Sequence, residues 1–326
     1  MELRSLLTST AVILTLGLAA PAVAETTPAA TAADYAQVAD FYAFPLGGLK
    51  IVALSDGTVP QDLHQLLTGT TPAKVDELLE QSFQSNPVEA SINAYLIEDG
   101  DRRILIDTGS GQLFGPGNGG KLFDSLAVVG VSPRDITDIL ITHIHTDHTG
   151  GLVMDGGAVF PNATVHVATP DISFFLDAPN SEKTGYARQY FDEAEKTIGV
   201  YENAGKVKTF SDNETILPGI VATLHPGHTP GSAFFTVTSN GKSIIFVGDI
   251  IHVASVQFPD PSITIVYDVD PDKAEAMREA AFSNFAKTRQ LIAAPHLPFP
   301  GVGHIRSEGE NSYTFHPLEY RNRAGQ

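Results

Sequence analysis

The residues with the clearest chemistry form one short run, Thr142-His-Ile-His-Thr-Asp-His148, of the form H-x-H-x-D-H. Imidazole and carboxylate groups are the ligands that zinc and similar ions take in proteins. Side chains two positions apart in an extended segment project to the same side, so His143 and His145 can bind one ion. Asp147 and His148 follow where the chain turns and can face a second ion. The run therefore predicts a metal site.

Three later stretches place another potential ligand directly after a predicted strand, with Gly or Pro nearby to turn the chain. They are His228 after the strand 220–224, Asp249 after 243–247, and His296 after 291–294. A short β-branched strand, 138–141, likewise precedes the first run. One ligand at a strand end is weak evidence, but four such strand ends in one chain predict a single constellation.

The elements that must position these ligands are typical of an α/β chain. Further strands are predicted at 49–54, 91–97, 103–106, 163–167 and 233–237, and helices at 121–129 and from Pro72 and Pro271. The Ser-Asp-Gly triplet at 55–57 is expected to turn the first strand. Residues 171–204 are predicted to be helical, and their aromatic side chains would fill a core or cover a pocket. No internal linker or repeat is visible, which predicts a single domain.

The order H-x-H-x-D-H, then P-G-H-T-P-G-S, then G-D, then a late His after a strand resembles the signature of the metallo-β-lactamase superfamily. The resemblance covers roughly residues 37–326 and implies an αββα sandwich with metals at one edge of the two sheets. Two blocks, 248–262 and 296–305, look like the methyl parathion hydrolase group and its dihydrocoumarin-type lactonase relatives.

The resemblance implies a binuclear centre. One ion would be held by His143, His145 and His228, the other by Asp147, His148 and His296, and Asp249 would bridge them with a water or hydroxide. The expected cofactor is two divalent ions, with Zn²⁺ ahead of Mn, Co or Fe. Two such ions about 3.5–4 Å apart lower the pKa of bound water to roughly 7 and polarise the substrate. The expected reaction is hydrolysis by hydroxide attack, with Asp249 or His252 managing the proton.

Other side chains are candidates for contacts around this centre. His252 stands where similar lactonases often place a Tyr, which suggests a hydrogen bond to the substrate carbonyl or the leaving alkoxide. Phe114, Phe258 and Tyr267 are candidates for an apolar pocket, and core packing is the alternative for them. Asp107 lies in a strand-end turn and is expected to orient a metal-binding His.

The substrate is expected to be neutral, because no Arg or Lys occurs in 248–262 or 296–303. A lactone or aryl ester is the first expectation, with incidental turnover of organophosphate triesters. The alternative is a dedicated phosphotriesterase of the methyl parathion type. A hypothesis from another class is a non-catalytic periplasmic metal-binding protein.

Composition and the N-terminus set the context. The net charge of −18 argues against a nucleic-acid partner, and the absence of cysteine excludes disulfides and thiolate ligands. Residues 1–24, with an apolar stretch ending in Ala-Val-Ala, are predicted to be a signal peptide, and 25–36 a flexible lead-in. We therefore expect a periplasmic or secreted protein that leaves the membrane after cleavage. The protein could be a homodimer, and the sequence does not decide its oligomeric state.

Overall fold

Strands and short helices alternate through the residues that the computed structural model describes, 41–177 and 179–323. The strands are β1 (Phe41–Leu46), β2 (Leu49–Gln61), β3 (Leu67–Thr68), β4 (Val88–Asp99), β5 (Arg102–Ile106), β6 (Asp138–Leu140), β7 (Val153–Met154), β8 (Gly157–Ala158), β9 (Thr164–Ala168), β10 (Val207–Phe210), β11 (Glu214–Leu217), β12 (Ile220–Leu224), β13 (Ala233–Ser239), β14 (Lys242–Phe246), β15 (Thr264–Ile265), β16 (Ile292–Ala293), β17 (Val302–Gly309) and β18 (Ser312–Pro317). The α-helices are α1 (Leu63–Leu66), α2 (Pro72–Gln81), α3 (Leu122–Val128), α4 (Thr146–Thr149), α5 (Thr169–Phe175), α6 (Pro179–Thr184), α7 (Arg188–Asn203), α8 (Ala254–Gln257) and α9 (Pro271–Thr288).

Two mixed sheets hold most of these strands. The first has the order β1-β2-β4-β5-β6-β9-β10, and the second has the order β11-β12-β13-β14-β16-β17-β18. In the first sheet β5, β6, β9 and β10 run parallel to one another, whereas β1, β2, β4 and β5 form antiparallel pairs. In the second sheet β14 and β16 are parallel and the other pairs are antiparallel.

The alternation of side chains along β2 shows how the layers are built. Ile51 packs into a core shared with Phe235 and Phe246 of the second sheet. The next residue, Val52, points the other way, into a core shared with Ile198 of α7. Because α9 covers the outer face of the second sheet in the same manner, the layers are helix, sheet, sheet, helix, and the predicted αββα sandwich in one domain is confirmed.

The turn predicted at 55–57 is wrong. β2 continues through these residues, and only a β-bulge interrupts its pairing with β4 between Ser55 and Gly57. The bulge places the Asp56 carboxylate inside the protein, where it accepts backbone hydrogen bonds of 2.9 Å from Ser110, Gly120 and Leu122. Asp56 thereby fixes the loop that follows β5.

The predicted helical stretch 171–204 comprises parts of α5, α6 and α7. Its aromatic residues divide between the two expected roles. Phe175 and Phe191 are buried in the core of the first layer, whereas Tyr190 lines the cleft described below.

The predicted signal peptide 1–24, the lead-in 25–36 and the first residues of the predicted domain lie outside the described residues, so these boundaries remain predictions. Within the described part of the chain, every helix is too short or too polar to cross a bilayer.

Candidate metal centre

The ligands predicted from the sequence converge at one edge of the sandwich. His143 and His145 follow β6, His228 follows β12, Asp249 follows β14, and His296 follows β16. His148 lies in α4, which begins directly after His145. All of these side chains are buried, while Asp147 is partly exposed. Residues from distant parts of the chain therefore form one cluster, as the strand-end pattern predicted.

Three imidazoles form the first potential ligand group. The Nδ1 atom of His145 lies 3.1 Å from Nε2 of His143 and 3.0 Å from Nε2 of His228. A ring nitrogen that carries no proton has a free lone pair. Three such nitrogens this close to one another can direct their lone pairs to one point. The arrangement suits a single cation.

A second group of ligand atoms lies beside the first. Nε2 of His148 is 3.6 Å from Oδ1 of Asp147, and Nε2 of His296 is 3.4 Å from Oδ2 of the same carboxylate. These three side chains are close enough to one another to hold a second metal ion. The two groups are those expected from the resemblance.

The Asp249 carboxylate lies between the two groups. Its Oδ2 atom is 3.4 Å from Nε2 of His228 and 3.1 Å from Nε2 of His296, and its Oδ1 atom is 3.3 Å from Nε2 of His148. A carboxylate within reach of both groups can share its oxygens between two cations. This is the position expected of a bridging ligand.

Unpaired polar atoms indicate that the site is built for cations. Nε2 of His148 and Oδ1 of Asp249 are buried and have no hydrogen-bond partner among the described residues. Such atoms are costly unless a partner satisfies them. Since both belong to the ligand cluster, the residues present fit a pair of metal ions.

The ligand residues differ in their protonation states. Burial lowers the pKa of His143 and His145 well below the usual value, so both imidazoles are neutral and can donate a lone pair at neutral pH. Burial opposes ionisation of Asp249, but the neighbouring His148 and His296 hold its pKa well below the usual value. Burial opposes protonation of His148, His228 and His296 as well, but nearby carboxylates raise the pKa of each above the usual value. In the metal-free protein these three imidazoles therefore hold protons that a metal ion would displace.

Four of the metal-facing histidines are oriented through their other ring nitrogen. Nδ1 of His148 lies 2.9 Å from Asp107, Nδ1 of His228 lies 2.8 Å from Asp268, Nδ1 of His296 lies 2.8 Å from the Ser91 carbonyl, and Nε2 of His145 lies 2.8 Å from the Tyr186 hydroxyl. Contacts of this kind fix the tautomer and the ring orientation. The structure thus places Asp107 against a histidine, as the sequence predicted.

A small cleft opens beside the ligands. It has a volume of about 100 Å³ and is lined by Phe114, Tyr190, Tyr267, Gln61 and His252 together with the ligand residues. Among the described residues that line it, none is Lys or Arg. Phe114, Tyr267 and His252 are therefore at the cleft, as expected. His252 also approaches the ligands, with Nε2 3.2 Å from Oδ2 of Asp249.

Phe258 does not line this cleft. Its side chain is buried, packs against Phe282 and lies parallel to Phe315 at a centroid distance of 5.9 Å. Phe258 belongs to the core under α9 and also lines a second cavity, which His252 and His296 border. Its predicted role in a substrate pocket stays a prediction.

Several functional neighbours were missed in the sequence. Asp171, Asp268, Tyr186 and Gln61 belong to no motif, and they reach the site only through the fold. The glycine at position 231 of the His-containing turn is a weak sequence signal of a close neighbour, and the structure shows that this neighbour is Asp171. A Cβ atom there would lie 2.8 Å from the Asp171 carboxyl carbon.

Comparison with known proteins agrees with this geometry. Residues 88–296, more than half of the chain, match the family described as the metallo-beta-lactamase superfamily. The chain belongs to that superfamily. Its members usually bind a dinuclear metal centre, and this protein is a metal-dependent hydrolase of the same fold.

Two solved structures are similar along nearly their whole length. A hydrolase of the β-lactamase superfamily, AbOPH, is 37% identical, with 88% of this chain and 100% of that chain covered and a TM-score of 0.82. The dizinc quorum-quenching lactonase AidC, in complex with a product, is 28% identical, with 87% and 99% covered and a TM-score of 0.79. The specific likeness to the methyl parathion hydrolase group stays a prediction.

A curated relative points to a different substrate. A ribonuclease of Thermus thermophilus is 27% identical over 192 residues, which are 56% of this chain but only 40% of the ribonuclease. The chain thus matches less than half of that relative's length. Superfamily membership alone does not select the substrate, and the residues of the cleft must do so.

Proposed function

We propose that this protein hydrolyses lactones or other neutral carboxylic esters at a two-metal centre. The observation that carries the proposal is the cleft directly beside the ligand cluster, which has aromatic side chains and, among its described lining residues, no Lys or Arg. A phosphodiester substrate such as RNA needs cationic partners, and the net charge of −18 and the cleft lining offer few. The similarity to AidC, a lactonase, supports the same substrate class.

The chain would hold the two ions with the ligand groups described above and with Asp249 between them. When bound, such ions supply a water of lowered pKa and positive charge for an oxyanion. AidC is a dizinc lactonase, and the imidazole and carboxylate donors of this chain suit zinc. We therefore propose Zn²⁺ as the metal.

His252 is the proposed proton-handling residue. It lines the cleft, and neither of its ring nitrogens has a hydrogen-bond partner among the described residues. Burial lowers the pKa of His252, so the ring is neutral at pH 7 and carries one N–H group. That group can donate a hydrogen bond to the substrate carbonyl or to the departing alkoxide. Nε2 lies on the side of the ligand cluster, 3.2 Å from Oδ2 of Asp249, so an N–H group on Nε2 would be next to the reacting ester.

His252 could instead serve as a ligand, since it also lies within reach of His228 and Asp249. The variant His252→Gln separates the two roles. A proton-handling role predicts two bound metal ions per chain and a kcat lowered about 10²-fold or more. Loss of one equivalent of metal would assign His252 to the ligand set.

The substrate test compares kcat/KM for dihydrocoumarin and for methyl parathion with the metal-replete protein. We expect the lactone to be preferred at least tenfold, and chelation followed by Zn²⁺ addition to abolish and restore turnover. Preference for the phosphotriester would replace this proposal with the phosphotriesterase alternative. Full metal occupancy without turnover of either would favour a metal-binding protein without catalytic function.

A further inference from the structure

A second, larger cavity adjoins the metal cleft. It has a volume of about 370 Å³, compared with about 100 Å³ for the cleft. His252 and His296 line both spaces. Their rings are nearly parallel, with centroids 5.4 Å apart and an interplanar angle of 15°. This pair of histidines is therefore a boundary that the cleft and the cavity share.

The lining of the cavity suits an apolar, uncharged group. Phe258 and Phe315 are stacked at its wall with an interplanar angle of 3°, and Ala254 and Val88 also face it. Among its described lining residues, Glu89 is the only Asp, Glu, Lys or Arg. An anionic ligand would be repelled by Glu89, whereas an alkyl or aryl group would bury apolar surface.

His252 supplies a polar contact at the boundary. Its Nε2 atom faces Asp249 at 3.2 Å, and its Nδ1 atom lies on the opposite side of the imidazole ring. Nδ1 is buried and has no hydrogen-bond partner in the described part of the chain, in a residue that is only 4% exposed. A buried nitrogen of this kind calls for a partner. A polar group of a ligand that crosses the boundary would satisfy it.

The volumes of the cleft and the cavity explain why a substrate would extend past the His252–His296 pair. Pockets for small molecules usually measure about 300–1,000 Å³. The cleft is well below that range and has room for little more than the reacting ring, while the cavity lies within it. A substrate with an additional arm must place that arm elsewhere.

We propose that the substrate spans the His252–His296 pair. The ester or lactone lies in the cleft, a neutral apolar arm lies in the cavity, and a polar linker such as an amide contacts His252. The substrate class is therefore a lactone that carries a long uncharged acyl or aryl arm. This inference rests on the proposed hydrolase function and adds a second binding site to it.

The test uses metal-replete protein and two lactones that differ only in their arm, N-butanoyl- and N-decanoyl-homoserine lactone. In the wild type, kcat/KM is expected to be at least tenfold higher for the decanoyl substrate. Each buried methylene contributes about 0.8 kcal/mol, which corresponds to a factor of up to roughly four in kcat/KM for each methylene. Ala254→Phe places a ring in the cavity and should bring the ratio close to one. A direct disturbance of His252 would slow both substrates and leave the ratio unchanged.

Ala286→Phe is the matched control, since Ala286 lines a groove elsewhere that His252 and His296 do not border. It should retain the wild-type ratio. The inference is overturned if Ala254→Phe keeps the tenfold preference or if the wild type has none. If Ala254→Phe fails to fold, Phe315→Ala replaces it. This variant widens the cavity and should shift the substrate preference to longer arms. An unchanged dependence of kcat/KM on arm length overturns the inference.

Failure of the proposed function would be seen separately. If the wild type hydrolyses neither homoserine lactone nor dihydrocoumarin, the proposed function fails, and the cavity is then tested by calorimetric binding of ring-opened N-decanoyl-homoserine. Binding at least tenfold weaker in Ala254→Phe than in the wild type supports the cavity. Equal dissociation constants, or no binding to the wild type, overturn it.

Discussion

The carboxylate of Asp171 accepts a hydrogen bond of 2.9 Å from the backbone N–H of Ile144, the residue between His143 and His145. The same carboxylate accepts hydrogen bonds from the Thr229 hydroxyl and the Gly231 N–H, next to His228. One fully buried side chain at the start of α5 thus joins the two loops that provide the first ligand group. Burial raises the pKa of Asp171 to about 6, and these hydrogen bonds oppose that effect.

Replacing Asp171 by Asn should weaken both the fold and the first metal group. An amide presents an N–H₂ group where the carboxylate accepts a backbone N–H, which leaves a buried donor unpaired at a cost of about 1–3 kcal/mol. Urea unfolding of metal-free protein measures this loss. Asp192→Asn, which alters an exposed pair with Arg188 on α7, should change the free energy of unfolding by less than about 0.5 kcal/mol. Equal effects of the two variants would contradict the joining role.

Asp107→Asn should weaken the second metal group without changing the backbone. Asp107 has a left-handed φ of 59°, a conformation that Asn also tolerates. Its carboxylate contacts Nδ1 of His148 at 2.9 Å and accepts from Thr142 N and Oγ1 at 2.8 Å. Loss of the charged acceptor is expected to lower the affinity for one of two ions about 10–100-fold. Competition with a chromophoric chelator measures both binding steps.

The control for Asp107 is Asp138→Asn. Asp138 contacts buried His166 at 2.9 Å in the same type of carboxylate–histidine pair, but neither residue belongs to the ligand groups around Asp249. We expect this variant to keep both metal affinities within about twofold. Equal weakening in the two variants would mean that Asp107 acts through general stability.

The ligands could be predicted because their pattern is local. Each lies within a few residues of a strand end, and the sequence around it contains the turn residues. Their partners could not be predicted, because the contacts are formed between distant segments. Asp171 is 27 residues from Ile144, and Asp268 is 40 residues from His228. A single buried Asp carries no periodic signal that distinguishes it from an exposed one.

Two features that the local sequence does not reveal have the same physical origin. Ser-Asp-Gly at 55–57 has the composition of a turn, but pairing with β4 on one side keeps the strand extended and leaves only a bulge. Phe258 follows the ligand Asp249 closely in sequence, but packing against Phe282 directs its ring into the core. In both cases tertiary contacts that are absent from the local sequence decided the outcome.

Tyr186→Phe should lower the affinity of the first metal group. The Tyr186 hydroxyl lies 2.8 Å from Nε2 of His145 and donates a hydrogen bond of 2.8 Å to the Tyr267 carbonyl. It therefore holds His145 so that Nδ1 faces the cluster. Removing it is expected to weaken metal binding about tenfold or more, as measured by chelator competition.

Tyr190→Phe is the matched control for Tyr186. The Tyr190 ring is stacked on Tyr186 and also lies 5.0 Å from the His145 ring, so the same hydroxyl deletion leaves the neighbouring rings in place. Tyr190→Phe should keep the metal affinity within about threefold. A larger loss in Tyr190→Phe than in Tyr186→Phe would contradict the positioning role of the Tyr186 hydroxyl.

His225→Phe should make the stability of the metal-free protein less dependent on pH. His225 is stacked on Phe234 at a centroid distance of 3.6 Å, and burial lowers its pKa to about 4, with Asp212 opposing. The unfolded chain, with an ordinary pKa of 6.5, therefore binds a proton more readily than the folded protein. The stability contribution of neutral His225 is present above pH 6.5 and is lost as the pH falls towards 4. Between pH 7.5 and 5.0 the wild type should lose about 2 kcal/mol more than the variant. Urea unfolding at both pH values, with chelator present throughout, measures the difference, and equal losses in the two proteins would contradict the assignment.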